Sequence, residues 1–172
     1  MANTYEAIAT VTVGSGGANT IVFSSIPATY TDLELKVSVR SSRNAGAHSG
    51  LYIKFNTSTT GYSFRWLEVN DTNVRSTNNS SQLAATINQD TDTASTFSNL
   101  SIYIPNYAGS NNKSLSIDEV AENNSSSTYQ LGMMAGLWSN TAAITDITLT
   151  AENGSFDFKQ YSTATLYGIK NS

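Results

Sequence analysis

The chain has 172 residues, a net charge of −4 and no cysteine. Its 9 scattered basic side chains and a pI near 4.8 exclude the clustered positive surface that a nucleic-acid partner requires. Without cysteine there are no disulfides, thiolate ligands or cysteine nucleophiles, and no apolar run approaches the roughly 20 residues of a membrane-spanning helix.

The length suits one domain covering residues 1–172. The polar bulk is uncharged: 25 Ser, 22 Thr and 18 Asn stand against only 13% charged residues. Disorder usually accompanies high net charge, so this composition favours a folded chain. Thr suits strands, while Ser and Asn suit turns and loops.

The N-terminal "MANTYEAIAT" has neither a basic start nor an apolar core, so no ordinary signal peptide is expected. Strand patterning begins at Tyr5–Val13, where Ala7, Ala9, Val11 and Val13 alternate with polar residues. A weaker strand follows at Thr20–Phe23. "DLELKVSVRS" is the clearest of all, with Leu33, Leu35, Val37 and Val39 on one face and Glu34, Lys36, Ser38 and Arg40 on the other. Leu51–Phe55, Leu100–Ile104 and Ile147–Ala151 repeat this pattern, and Leu83–Ile87, Leu115–Val120, Phe156–Phe158 and Ala164–Ile169 do so more weakly. Clusters such as "SSRNAGAHSG", "NTSTTG", "STNNSS" and "AGSNNKS" read as turns. Asn153-Gly154 predicts a type I′ hairpin turn that returns Phe156–Phe158 against Ile147–Ala151. No window keeps the spacing of an amphipathic helix. The expected fold is all-β, an antiparallel β-sandwich with jelly-roll-like character.

Two segments are apolar on both faces. In "YSFRWLEV" Phe64 and Trp66 oppose Leu67 and Val69. In "TYQLGMMAGLW" the face of Tyr129, Leu131, Met133, Ala135 and Leu137 opposes that of Gln130, Gly132, Met134, Gly136 and Trp138. Such strands need cover on both sides, either from the chain's own loops or from another subunit. Tyr129, Leu131, Met133, Met134 and Trp138 are therefore the candidate oligomer-interface residues. Gly132 and Gly136 leave room for a close approach.

Reactive chemistry is sparse. His48 is the only histidine and sits in a loop with no nucleophile-elbow sequence to serve it, so it is expected to be solvent-exposed. Asn88, Asp90 and Asp92 place oxygen donors at alternate positions, but the rest of a calcium loop is missing. Asp118, Glu119 and Glu122 form the densest acidic group, and Asp118 and Glu119 should face opposite sides of one strand. Trp66 and Trp138 lie among large apolar neighbours, where packing is expected of them rather than sugar stacking. No catalytic residue, metal or cofactor is assigned.

Four segments carry a resemblance: "FSSIPATYTDL" (Phe23–Leu33), "YIPNYAGSNNKS" (Tyr103–Ser114), "LWSNTAAIT" (Leu137–Thr145) and the closing "LYGIK" (Leu166–Lys170). They resemble small virion proteins of tailed bacteriophages, notably those of cyanobacteria. The resemblance implies a jelly-roll-like domain that is made in the host cytoplasm and resides on the virion. It also implies a homo-oligomer, most often a trimer, acting as a capsid decoration (cement) protein bound to the major capsid protein. A tail-fibre or baseplate domain that binds a host glycan is the second role it implies. The matching motifs are turns and strand ends, and the stretch from about Asn44 to Ser95 has no counterpart.

Overall fold

The computed structural model describes residues 4–70, 73–80, 82–125 and 130–170. Among them twelve strands form: β1 (Tyr5–Thr12), β2 (Thr20–Phe23), β3 (Asp32–Val39), β4 (Ser49–Phe55), β5 (Tyr62–Asn70) and β6 (Asn73–Asn79), then β7 (Leu83–Ile87), β8 (Ser98–Ile104), β9 (Lys113–Ala121), β10 (Gln130–Trp138), β11 (Ile147–Ala151) and β12 (Thr163–Ile169). They build two antiparallel sheets. The wide one has the order β1-β12-β3-β8-β9-β10-β5-β6, and the narrow one β2-β11-β4-β7. The protein is an all-β sandwich.

Strand alternation creates the core. Leu33, Leu35 and Val37 of β3, Leu100, Ile102 and Ile104 of β8, and Leu115 and Ile117 of β9 point inward from the wide sheet. Ile21, Phe23, Leu51, Ile53, Phe55, Ile147 and Leu149 meet them from the narrow sheet, and each of these is almost fully buried. At one end Trp138 lies stacked on Tyr62 at 6.2 Å and tilted against Phe55 at 5.6 Å. Each fully buried large side chain of this kind is worth roughly 1.5–3 kcal/mol.

Several expectations needed correction. β6 forms where "STNNSS" reads as a turn; apart from Val74 it is polar, it is exposed throughout and it lies at the sheet edge, so pairing with β5 defines it rather than any apolar pattern. In β1 a bulge between Ala7 and Ala9 breaks the expected face. Ala7 pairs with Tyr167, whereas Ala9 and Val11 pair with the inward Leu166 and Ala164. The segment Phe156–Phe158 is not a strand. Phe156 bridges Ala151, but Phe158 bridges Ala18 and Ser41 and is buried between them. The turn at Asn153-Gly154 does take positive φ values of 55° and 87°, and the Ser155 N–H bonds to the Glu152 carbonyl at 3.1 Å. Glu152 is also left-handed at φ 46°, so the connection is a four-residue loop holding a short 3-10 turn and not a two-residue hairpin.

β12 is an interior strand, hydrogen-bonded to β1 on one side and β3 on the other, with Ala164 and Leu166 in the core. Deleting residues 164–172 should therefore abolish soluble folding, because it strips β1 from the sheet and leaves β3 as a raw edge. Circular dichroism and gel filtration check this; a soluble, folded truncation would contradict it.

Candidate functional site

Two surfaces stand apart from the ordinary core. The first is the outer face of the wide sheet at its β9-β10-β5-β6 end. Register places Val74, Val69, Leu131 and Val120 side by side across four strands, with Leu67 and Met133 in the next row. Leu131 is 51% exposed and Met133 60%, and Val74, Leu67 and Val120 are exposed as well. Beside Met133 a shallow groove of about 410 Å³ runs between Arg65 and Asp118.

This divides the five candidate interface residues. Leu131 and Met133 lie on the open outer face. Met134 and Trp138 are 3% and 1% exposed on the inner face, enclosed by the sandwich, and so offer nothing to a partner. Tyr129 lies outside the described residues. The glycines also find their close approach within the chain. A Cβ on Gly132 would stand 2.5 Å from Trp66 Nε1 and 2.6 Å from Glu119 Oε1, and one on Gly136 would meet Leu83 and Leu115.

The second surface is the seam where the sandwich opens. Among the described residues the narrow sheet ends at β7, which faces β9, β10 and β5, so β6 lies beyond it. A groove of about 320 Å³ follows that edge, lined by Trp66, Glu68, Gln130, Thr86, Tyr52 and Arg75 among others. Register sets Glu68, Gly132 and Glu119 in one row across β5, β10 and β9, all on the inner face. Asp118 and Glu119 do face opposite sides, as expected, with Glu119 buried and Asp118 outside.

Glu119 Oε2 accepts the backbone N–H of Thr86 at 2.8 Å, which caps the free edge of β7. Burial pushes the Glu119 carboxyl up to about 8, assisted by the nearby charge of Glu68, while the Thr86 N–H and the indole of Trp66 pull the other way. Burial also raises Glu68, which accepts a hydrogen bond from Gln130 and feels the opposing charge of Arg75. Two acids in one row, with Glu68 lining the groove, resemble a general acid and its partner. Glu119, however, is 2% exposed with one oxygen committed to β7, so its geometry serves the seam. The pairing of Glu68 with Glu119 had no signal in the sequence, because it depends on the register of three strands.

The oxygen-rich loop at Asn88–Asp92 is organised around a side chain. The buried Arg40 guanidinium donates to the carbonyls of Asp92, Thr93 and Thr96 at 2.9 Å and to that of Asp90 at 3.3 Å. Asp90 instead pairs with Lys159 at 2.7 Å, and Asp92 Oδ2 accepts the Gln89 N–H. The guanidinium thus organises this loop through its backbone carbonyls, while the carboxylates of Asp90 and Asp92 bond elsewhere. His48 is half-buried rather than open to solvent, and burial lowers its pKa.

Two measurements probe these arrangements. Folding raises Glu119 from 4.5 to about 8, so the folded chain holds this proton more tightly than the unfolded one. Its stabilising effect is complete below pH 4.5 and is lost as pH rises toward 8, by up to about 1.4 kcal/mol per pH unit. Glu119→Gln should flatten that slope in urea titrations across this window, whatever its effect at one pH. Arg40→Met should cost about 3 kcal/mol, because several buried carbonyls lose their donor; chemical denaturation reads this directly.

No protein-family model, no curated protein and no solved structure matches this chain.

Proposed function

We propose that the chain is a bacteriophage virion structural protein, a capsid decoration (cement) protein that assembles as a homo-oligomer, most simply a trimer, on the outer capsid. The observation that carries this reading is the outer apolar face of Leu67, Val69, Val74, Val120, Leu131 and Met133. Strands such as β4 and β8 alternate buried positions with more open, mostly polar ones, whereas here a contiguous apolar area lies on the solvent side. Patches of this kind mark protein–protein contacts. The four segments that resemble phage virion proteins supply the biological setting, and the jelly-roll connectivity implied with them belongs to the same proposal.

In this role the patch joins copies to one another, and the loops at the sandwich ends meet the major capsid protein. A structural task of this sort needs neither cofactor nor catalytic residue. It needs a rigid core and a face that buries apolar area on assembly.

Light scattering on the purified protein should give a mass three times the 18.4 kDa of one chain. Leu131→Glu combined with Met133→Glu should yield monomers with an almost unchanged melting temperature, because both side chains are exposed in the single chain. The variant should also fail to bind purified capsids. A monomeric parent protein, or a double variant that still assembles, would overturn this reading.

A further inference from the structure

Away from the apolar face and the β7 seam, two tight turns face one another across a cleft of about 390 Å³, lined by Arg40, Asp90, Ala94, Ser95, Phe97, Lys159, Gln160 and Tyr161. In one turn the Ser162 N–H bonds to the Lys159 carbonyl at 3.1 Å, and Tyr161 holds the third position at φ 72°. In the other the Thr96 N–H bonds to the Thr93 carbonyl at 3.3 Å, and Ser95 holds the third position at φ 64°. A positive φ at this position favours Gly or Asn. For a bulky residue such as Tyr it is a real steric cost, of order 1–3 kcal/mol.

Nothing in the fold repays that cost. Tyr161 is 69% exposed, so its side chain contributes little to the core, while its backbone N–H is fixed to the Val13 carbonyl at 3.0 Å. Glycine would fit the backbone better, and a polar residue would suit the exposure better. A strained, exposed aromatic on the lip of a cleft is a feature that function explains and stability does not.

The cleft is also held rigid. Arg40 ties the Asp90–Thr96 wall from beneath through its hydrogen bonds to Asp90, Asp92, Thr93 and Thr96. Its backbone joins the opposite wall, with the Lys159 N–H bonded to the Arg40 carbonyl at 2.8 Å. The Lys159–Asp90 ion pair at 2.7 Å crosses the gap, and the remaining charge of the lining, the buried Arg40, commits its guanidinium N–H groups to the carbonyls of the wall. On the far side of Lys159 and Gln160 lies a second cleft of about 310 Å³, floored by Ser15, Gly16 and Gly17 and bounded by Ser42 and Asp157.

We propose that this turn pair binds a neutral carbohydrate, with one sugar ring stacked on Tyr161 and a neighbouring unit reaching across Gln160 into the second cleft. The chemistry favours that class. A sugar offers an apolar C–H face to the ring and hydroxyl groups to the paired Asp90 and Lys159, to Gln160 and to Ser95. A charged ligand would have to break the ion pair, and an apolar one would leave these polar groups dry. The volume lies within the roughly 300–1,000 Å³ of small-molecule sites. The inference does not rest on the virion role proposed above: assembly could fail its test and this cleft would still bind, or the reverse.

The test uses the full chain with a panel of neutral disaccharides, namely cellobiose, maltose, lactose, mannobiose and chitobiose, followed by ligand-observed NMR. At least one should show saturable binding in the millimolar range, with contact to the Tyr161 ring. Tyr161→Gly should weaken it roughly tenfold, the worth of one stacked aromatic face. The same variant should melt no lower than the parent, because it relieves the backbone. Asp90→Asn with Lys159→Met, which removes the pair without exposing a lone charge, should weaken binding as well. The proposal is overturned if no sugar of the panel binds, if binding survives Tyr161→Gly undiminished, or if Tyr161→Gly melts below Tyr161→Phe and so reveals a structural duty for the ring.

Discussion

Two sheets of unequal width share one hydrophobic interior, and most of this molecule's particular features follow from that mismatch. Eight strands present an inner face, and four strands cover it. Where the two overlap, alternating Leu, Ile, Val and Phe side chains interlock, and burial of this kind is the dominant favourable term in folding. Where the narrow sheet ends, the inner face of the wide sheet still has to be completed. At the β7 edge the chain answers with polar contacts: Glu119 reaches across to cap the Thr86 N–H, Gly132 makes room for it, and Trp66 closes over both. A carboxyl so placed is held near neutrality by its own burial.

Beyond the two ends of β3 the interior is sealed by loops. Tyr107 is fully buried with its hydroxyl donating to the Pro27 carbonyl, and Phe158 is wedged between the segments of Ala18 and Ser41. Arg40 performs a related task just beyond β3, where its guanidinium gathers the carbonyls of a loop that forms no regular structure of its own. Buried backbone oxygens need donors, and one planar side chain with five N–H groups supplies several of them at once. The rigidity of the cleft around Tyr161 derives from this contact. The β7 seam and the Arg40 loop thus both complete the interior where the regular strands stop.

The outer apolar face has a different origin. β5 and β10 turn Phe64, Met134 and Trp138 inward, yet Leu67, Val69, Leu131 and Met133 on their outward face are apolar too. Nothing within the described residues lies over Leu131 and Met133. The patch is therefore surplus to the fold, and this sets it apart from the seam, whose every element completes the interior.

The sequence by itself determined the class and much of the strand list. Period-two alternation in Leu33–Val39, Leu51–Phe55 and Leu100–Ile104 admits no other local structure, because side chains of a strand must point to opposite faces. It also marked the Gln130–Trp138 strand as apolar on both sides and Asp118 and Glu119 as divergent. Tertiary structure alone decided which side of that strand is core, and so split Leu131 and Met133 from Met134 and Trp138. It alone turned the polar Asn73–Asn79 into an edge strand, moved Phe158 away from its expected hairpin partner, and set Glu68 and Glu119 in one row. It also placed Tyr161, a residue with no pattern around it, on the lip of a cleft whose facing wall is drawn from a distant loop. The reason is physical: alternation is a property of one strand, whereas partner, register and the hand of a turn are fixed by contacts between segments far apart in the chain.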